Sequence, residues 1–221
     1  MELLEAMQNR NSVRQYTDEP VSADVLSALR EEIAACNRES GLHIQLVTDE
    51  PKAFDSFMAH YGKFSGVKNY IALIGKKDTK LDELCGYYGE RLVLKAQQLG
   101  LNTCWVAMTY KKIPGAFRIE TGEKLTVVIA LGYGQTQGAA HKSKPAAEVS
   151  NLGDDSPAWF KSGVEAALLA PTAMNQQKFT LRRENRTVSA KAGSGFYTKI
   201  DLGIVKYHFE LGAGKENFAW E

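Results

Sequence analysis

Residues 10–16 of this chain read "RNSVRQY", which sets Arg10 and Arg14 on either side of Ser12. A guanidinium carries a fork of N–H donors that matches a phosphate, a carboxylate or a polar ring edge. The serine adds a hydroxyl, and in a helix the i, i+4 spacing would put both cations on one face. A second segment, "APTAMNQQKF" (170–179), joins a helix-stopping Pro171 to Thr172 and Asn175. Such a turn presents backbone N–H groups and an amide to a planar polar ligand. A third, "HKSKP" (141–145), carries Lys142 and Lys144 in a polar connection. A fourth, "GLNTCWVAM" (100–108), follows a helix stop; its Cys104 reads as a small buried side chain, because no base adjoins it in sequence. Alone, each segment also has a plain reading: a solvated arginine pair, a helix-to-strand connection, a solubilising loop and a core strand.

The rest of the composition narrows the chemistry. There is no Walker A loop, no GxGxxG and no HExxH, and the four histidines have no metal-ligand spacing. Cys36, Cys85 and Cys104 are far apart, which argues against a disulfide framework or a structural zinc site. A net charge of +1 over 221 residues gives no global field toward nucleic acid or an anionic membrane. The opening "MELLEAMQNR" lacks the apolar stretch of a secretion signal. No apolar run approaches the roughly 20 residues of a membrane span. The expectation is a metal-free cytoplasmic protein.

Certain elements must position these segments. "SADVLSALREEIAACNRES" (22–40) predicts a helix capped by Ser22, with Val25, Leu29, Ile33 and Cys36 as its apolar stripe. "LHIQLVT" (42–48) predicts a half-buried strand with Leu42, Ile44 and Leu46 inward, and "NYIALIG" (69–75) a central strand. Residues 81–100 form a helix stopped at Gly100, and 102–108 and 124–134 are extended. Ser156 and Pro157 open a helix through 170. A hairpin turns near Asn185, and Thr198 with Asp201 predicts a capping box for a last helix, 199–212. That helix ends in Leu-Gly, as the earlier one does. Aligning Leu92 with Ile204 also aligns Val93 with Val205 and Leu99-Gly100 with Leu211-Gly212. A helix-strand-helix order thus recurs in two α+β halves, a weak internal repeat.

Taken together, "RNSVRQY", "LKAQQLGLNTCWVAM", "VVIALGYG" with its trailing "HKSK", and "APTAMNQQKF" resemble the FMN-dependent nitroreductase family. That family shows an R-x-S-x-R-x-[FY] opening, a helix running into G-L-x-[ST]-C-W, a strand ending L-G-Y before basic residues, and an A-P-S-x-x-N-x-Q-P-W turn. In ordinary members the turn follows the opening closely, and two subunits complete each flavin site. Here the turn lies in the second half, and that half has no R-x-S-x-R. The resemblance therefore implies an α+β, nitroreductase-like fold of two half-repeats, each with a central sheet flanked by helices, packed as a single-chain internal pseudo-dimer. The expected divisions are 1–134 for the first repeat, 135–155 for a basic linker and 156–221 for a shortened second repeat.

The same resemblance implies FMN as cofactor. Arg10, Asn11 and Ser12 match the residues at the phosphate and ribityl chain, and Arg14 the one at the ring's polar edge. Lys142 and Lys144 match a second phosphate clamp, Pro171, Thr172 and Asn175 the turn, and Val106 and Ala107 the segment along the flavin. It implies NAD(P)H-linked reduction of nitroaromatic, quinone or related small acceptors by a chain able to act as a monomer, with no catalytic side chain and no metal. Two other readings are a flavin-binding or storage protein without efficient turnover, and a non-flavin interaction scaffold. The absence of a dinucleotide fingerprint disfavours FAD.

Overall fold

A computed structural model describes residues 1–221. The chain divides into two compact units, residues 1–81 with 92–140 and residues 82–91 with 141–221. No helix is long and apolar enough to cross a membrane.

The first unit is built on an antiparallel sheet of β1 (Gln45–Val47), β2 (Asn69–Lys76), β3 (Asn102–Val106) and β4 (Glu123–Gly132), in the order β1-β2-β4-β3. Strand β2 is buried from Tyr70 to Gly75, so its apolar residues run on without alternation, as a strand covered on both faces requires. The helices of this unit are α1 (Leu3–Asn9), α2 (Ala23–Ser40), the short α3 (Phe57–Tyr61) and the second part of α4 (Leu81–Gln98). Helix α2 starts where the Ser22 hydroxyl accepts from the Val25 N–H and stops at Gly41 in the left-handed conformation, φ 71°. Its Leu29, Ile33 and Cys36 are buried, as the periodicity predicts.

Strand β1 is shorter than expected. The Asn37 side chain takes both backbone groups of Ile44, accepting from its N–H (2.8 Å) and donating to its carbonyl (3.0 Å). Residue 44 is thereby tied to α2, and Val47 rather than Leu46 turns inward.

The second unit holds the hairpin of β5 (Phe179–Glu184) and β6 (Thr187–Ala192), with β7 (Ala219–Trp220) added parallel to β6. Asn185 makes the turn at φ 55°, which asparagine tolerates better than most residues. Its helices are residues 82–91 of α4, the short α5 (Ala146–Val149), α6 (Ala158–Ala167) and α7 (Thr198–Ala213). Phe160, Phe209, Phe218 and Trp220 form a chain of edge-on ring contacts with centroids 5.0–5.9 Å apart, a geometry aromatic pairs favour. On α6, Gly163 leaves room for the Phe209 ring. Between α4 and α7, Gly86 and Gly203 let the two backbones meet directly.

Three local expectations fail here. The Ser156 hydroxyl accepts from the Gly153 N–H, and Pro157 takes the cap position of α6, which ends at Ala167. Thr198 lies inside α7, whose N-cap is Tyr197 at φ 62°, so no capping box forms. Gly212 is not a helix stop: it packs on Ala166 and Ser162, and α7 runs on to Ala213 before Gly214 ends it.

Candidate functional site

In the first unit, residues 10–16 are extended, so the condition for a helical arrangement of the arginine pair is not met. Helix α1 ends at Asn9, and Arg10 already has φ −68° and ψ 118°. The Val13 N–H donates to the Thr103 carbonyl (3.0 Å) beside a Ser12–Thr103 bridge, so the segment lies along β3. On its other edge the Tyr16 N–H donates to Ser65 O (3.0 Å) and the Ser65 N–H to Arg14 O (3.1 Å). The Tyr16 hydroxyl closes the segment by donating to Val13 O at 2.7 Å. These long-range bonds outweigh any helical preference of so short a stretch.

In an extended chain side chains alternate, so Arg10, Ser12 and Arg14 share a side through a period of two. Cys104 of β3 lies within their electrostatic reach. The Ser12 side chain hydrogen-bonds the thiol, and both guanidinium charges act on it. Burial nevertheless outweighs the two cations and pushes the thiol's pKa up, which favours the protonated form of Cys104. Arg10 is buried at 5% exposure, whereas Arg14 is exposed with its guanidinium 6.0 Å from the centre of the Phe64 ring. The Asn11 amide donates to Gln137 O (3.2 Å). Val106 is buried in β3, and Ala107 follows it half-buried.

In the second unit the basic segment and the proline turn come together through Gln177, a residue the motif analysis passed over. Its amide oxygen accepts from the Lys144 N–H (2.9 Å), and its amide nitrogen donates to Lys142 O and Asn175 Oδ1 (both 2.9 Å). Its backbone N–H donates to Thr172 Oγ1 (3.0 Å), and its carbonyl accepts from Lys144 Nζ (3.2 Å). The Asn175 amide also donates to Lys142 O (2.9 Å). One Lys144 donor is thus spent on the turn, while the Lys142 side chain is exposed. His141 and Ser143 both reach the Leu168 carbonyl, fixing the start of the segment. Pro171 lies beyond the helix end at Ala167 and leads into the turn.

The turn is strained. Met174, Asn175 and Gln177 have φ of 51°, 53° and 45°. Such conformations cost non-glycine residues about 1–3 kcal/mol each and persist only where the surroundings over-determine them. Asp201 on α7 supplies much of that determination. Its carboxylate accepts from the Ala173 N–H (2.9 Å) and from the Gln176 amide (2.7 Å), which also donates to Phe196 O (3.0 Å). Burial raises the Asp201 pKa to about 6, although both donors pull it down. Sequence spacing assigned Asp201 to a helix cap; no local signal ties it to a turn 28 residues away. Gln177 did have a signal, the glutamine two places after the asparagine of the turn motif.

The protein-family model described as "Putative TM nitroreductase" matches residues 2–213. Among solved structures, a putative nitroreductase of Thermotoga maritima is 22% identical with a TM-score of 0.67, over 98% of this chain and 85% of that one. A putative nitroreductase in complex with FMN from Desulfovibrio desulfuricans is 20% identical with a TM-score of 0.53, over 67% of this chain and 94% of its own. A putative NADH dehydrogenase/NAD(P)H nitroreductase of Parabacteroides distasonis is 23% identical with a TM-score of 0.54, over 68% of this chain and 98% of its own. These likenesses establish the α+β, nitroreductase-like fold. No curated protein sequence matches the chain.

Proposed function

The chain belongs to the TM nitroreductase family, and we propose that it is an FMN-dependent oxidoreductase that takes electrons from NAD(P)H and delivers them to a nitroaromatic, a quinone or a related small acceptor. The observation that carries this reading is the gathering of Arg10, Ser12 and Arg14 on one side of an extended segment. The donor set suits a phosphorylated flavin. A phosphate monoester carries close to two negative charges near neutrality, and Arg10, Lys142 and Lys144 offer matching cations.

From the first unit, Arg10, Asn11 and Ser12 are assigned to the phosphate and ribityl chain, Arg14 to the polar edge of the ring, and Val106 and Ala107 to its flank. From the second, Lys142 and Lys144 are assigned to the phosphate, and Pro171, Thr172 and Asn175 to the ring. When bound, FMN supplies the hydride and electron chemistry. The chain's own part is to bind and orient it and to set its electrostatics; a cation such as Arg14 near the ring favours the anionic reduced form. No side chain is assigned a nucleophilic role. The division into a first repeat (1–134), a basic linker (135–155) and a shortened second repeat (156–221) belongs to the same reading, as an internal pseudo-dimer with one complete flavin site. Its support is that the Desulfovibrio and Parabacteroides chains match about two-thirds of this chain with nearly all of their own length.

The test is a flavin titration followed by turnover. Purified protein should bind one FMN per chain, and Arg10→Ala and Lys142→Ala should each weaken binding by tenfold or more, as loss of a charge-assisted hydrogen bond of about 1.5–3 kcal/mol implies. The exposed Arg38→Ala should change nothing. Absence of FMN binding refutes the cofactor, two equivalents refute the single site, and binding without NAD(P)H oxidation in the presence of menadione favours the storage reading.

A further inference from the structure

We infer that Asp201 is the positioning residue of the 172–177 turn, and that its carboxylate, by fixing that turn, sets the affinity of the protein for its flavin. The second clause rests on the function proposed above; the first rests on geometry alone. Three non-glycine residues in four hold positive φ. From α7, Asp201 reaches the turn and receives the Ala173 N–H on one oxygen and the Gln176 amide on the other. Gln176 extends the same tie to Phe196 O, so a single carboxylate pins the turn and the loop ahead of α7. Asn175, assigned to the flavin, stands between the two anchored positions.

The carboxylate form fits this role and the acid form does not. Both oxygens accept from donors, so a proton added to either turns that oxygen into a weaker acceptor and loosens one of the two ties. No ion pair holds the charge in place: only burial and these two hydrogen bonds act on its pKa. On its own helix and the elements packed on it, Lys199, Lys161 and Glu165 of α6, Arg182 and Lys191 of the hairpin, and Lys178 beside Gly195 are exposed, and none of them acts on its pKa. On α4, Glu83 is paired with Lys206 at 2.5 Å. The buried, unpaired carboxylate therefore takes up a proton in mild acid, and the turn loses an anchor when it does.

The experiment compares the full-length wild type with Asp201→Asn, which resembles the protonated form at every pH. In the FMN-free wild type, the backbone amide resonance of Ala173 should titrate with a midpoint near pH 6, and in Asp201→Asn it should not. The FMN dissociation constant of the variant should exceed that of the wild type about tenfold at pH 7.5, and the ratio should fall toward one by pH 5. Protonation of the FMN phosphate, with its second pKa near 6, affects both proteins and cancels in the ratio. An Ala173 amide that does not titrate while circular dichroism shows a folded chain overturns the positioning role. A ratio that stays constant between the two pH values overturns the link to affinity. A wild type that binds no FMN at pH 7.5 overturns the cofactor assignment instead, and the Ala173 resonance then decides the role of Asp201 by itself.

Discussion

Replacing Gln177 with alanine removes the hub between the basic segment and the proline turn. The side chain is 3% exposed and its amide makes three hydrogen bonds, to the Lys144 N–H, Lys142 O and Asn175 Oδ1. At about 1 kcal/mol net for each bond, the expected loss is about 3 kcal/mol. A chain of this size shifts its melting temperature by about 2–4 °C per kcal/mol, so Tm should fall by roughly 6–12 °C. The backbone adds a second, separable effect. At φ 45° alanine carries the same strain as glutamine, whereas glycine does not. Gln177→Gly should therefore melt above Gln177→Ala, the reverse of the order in an ordinary helix or strand. Differential scanning calorimetry of both variants, with the exposed Gln8→Ala as reference, measures both effects. If FMN is the ligand, both should also bind it at least tenfold more weakly, because residues 142–144 lose their anchor. An alanine variant that melts within about 1 °C of wild type, or above the glycine variant, would refute the reasoning about hydrogen bonding and strain together.

Glu90 and His208 are both fully buried and 2.9 Å apart, and the other ring nitrogen of His208 lies 3.1 Å from the Ala166 carbonyl. Glu90→Ala should cost about 3–5 kcal/mol in urea unfolding, while the double variant Glu90→Leu/His208→Leu should recover most of it; an unchanged midpoint for the single variant contradicts this. Gly203→Ala would drive a methyl group into the Glu83 carbonyl and to 2.6 Å from the Tyr87 nitrogen. It should destabilise the second unit by several kcal/mol, of the order seen for overpacking in a close-packed interior, and a wild-type Tm would show that α4 and α7 can part there. Asp201 has a pKa of about 6 in the fold against about 3.9 in an unfolded chain. The folded state holds that proton more tightly, so this stabilising contribution is complete below about pH 4 and is lost as pH rises through 6, amounting to about 3 kcal/mol. Stability of Asp201→Asn relative to wild type should therefore improve by that amount between pH 4 and 7.5, and a flat difference would refute the burial argument.

The two expectations for Asp201 pull in opposite directions. Relative to wild type, the asparagine variant fares better near neutral pH than at pH 4 yet holds the turn less well, because the buried charge that orders the turn is expensive to keep dry.

Sequence periodicity carried the long elements. Helix α2 with its Ser22 cap, α4 and the buried strand β2 are set by residues a turn or two apart, and such patterns act locally. The Asn185 turn was legible for the same reason. The short helices α1 and α3 and the two-residue β7 left no periodic trace, since only their neighbours stabilise them. Thr198 and Asp201 had the spacing of a capping box, but a carboxylate that can satisfy two donors of a strained turn is worth more there than at a helix start.

The identities of the candidate ligand-binding residues also belong to the sequence. Arginines, lysines and a Pro-Thr-x-x-Asn turn are residue types whose chemistry suits an anionic or planar polar ligand, and no fold is needed to see them. What the tertiary structure alone decided is how they are held. Residues 10–16 are extended because Thr103 and Ser65 pair with them, so the arginines share a side by alternation and not by helical spacing. The basic segment and the turn are joined by Gln177 across 33 residues, and the turn is pinned by Asp201 across 28. Hydrogen bonds over such separations form only once packing has brought the backbones together and excluded water, and nothing in the local pattern of either segment encodes the partner.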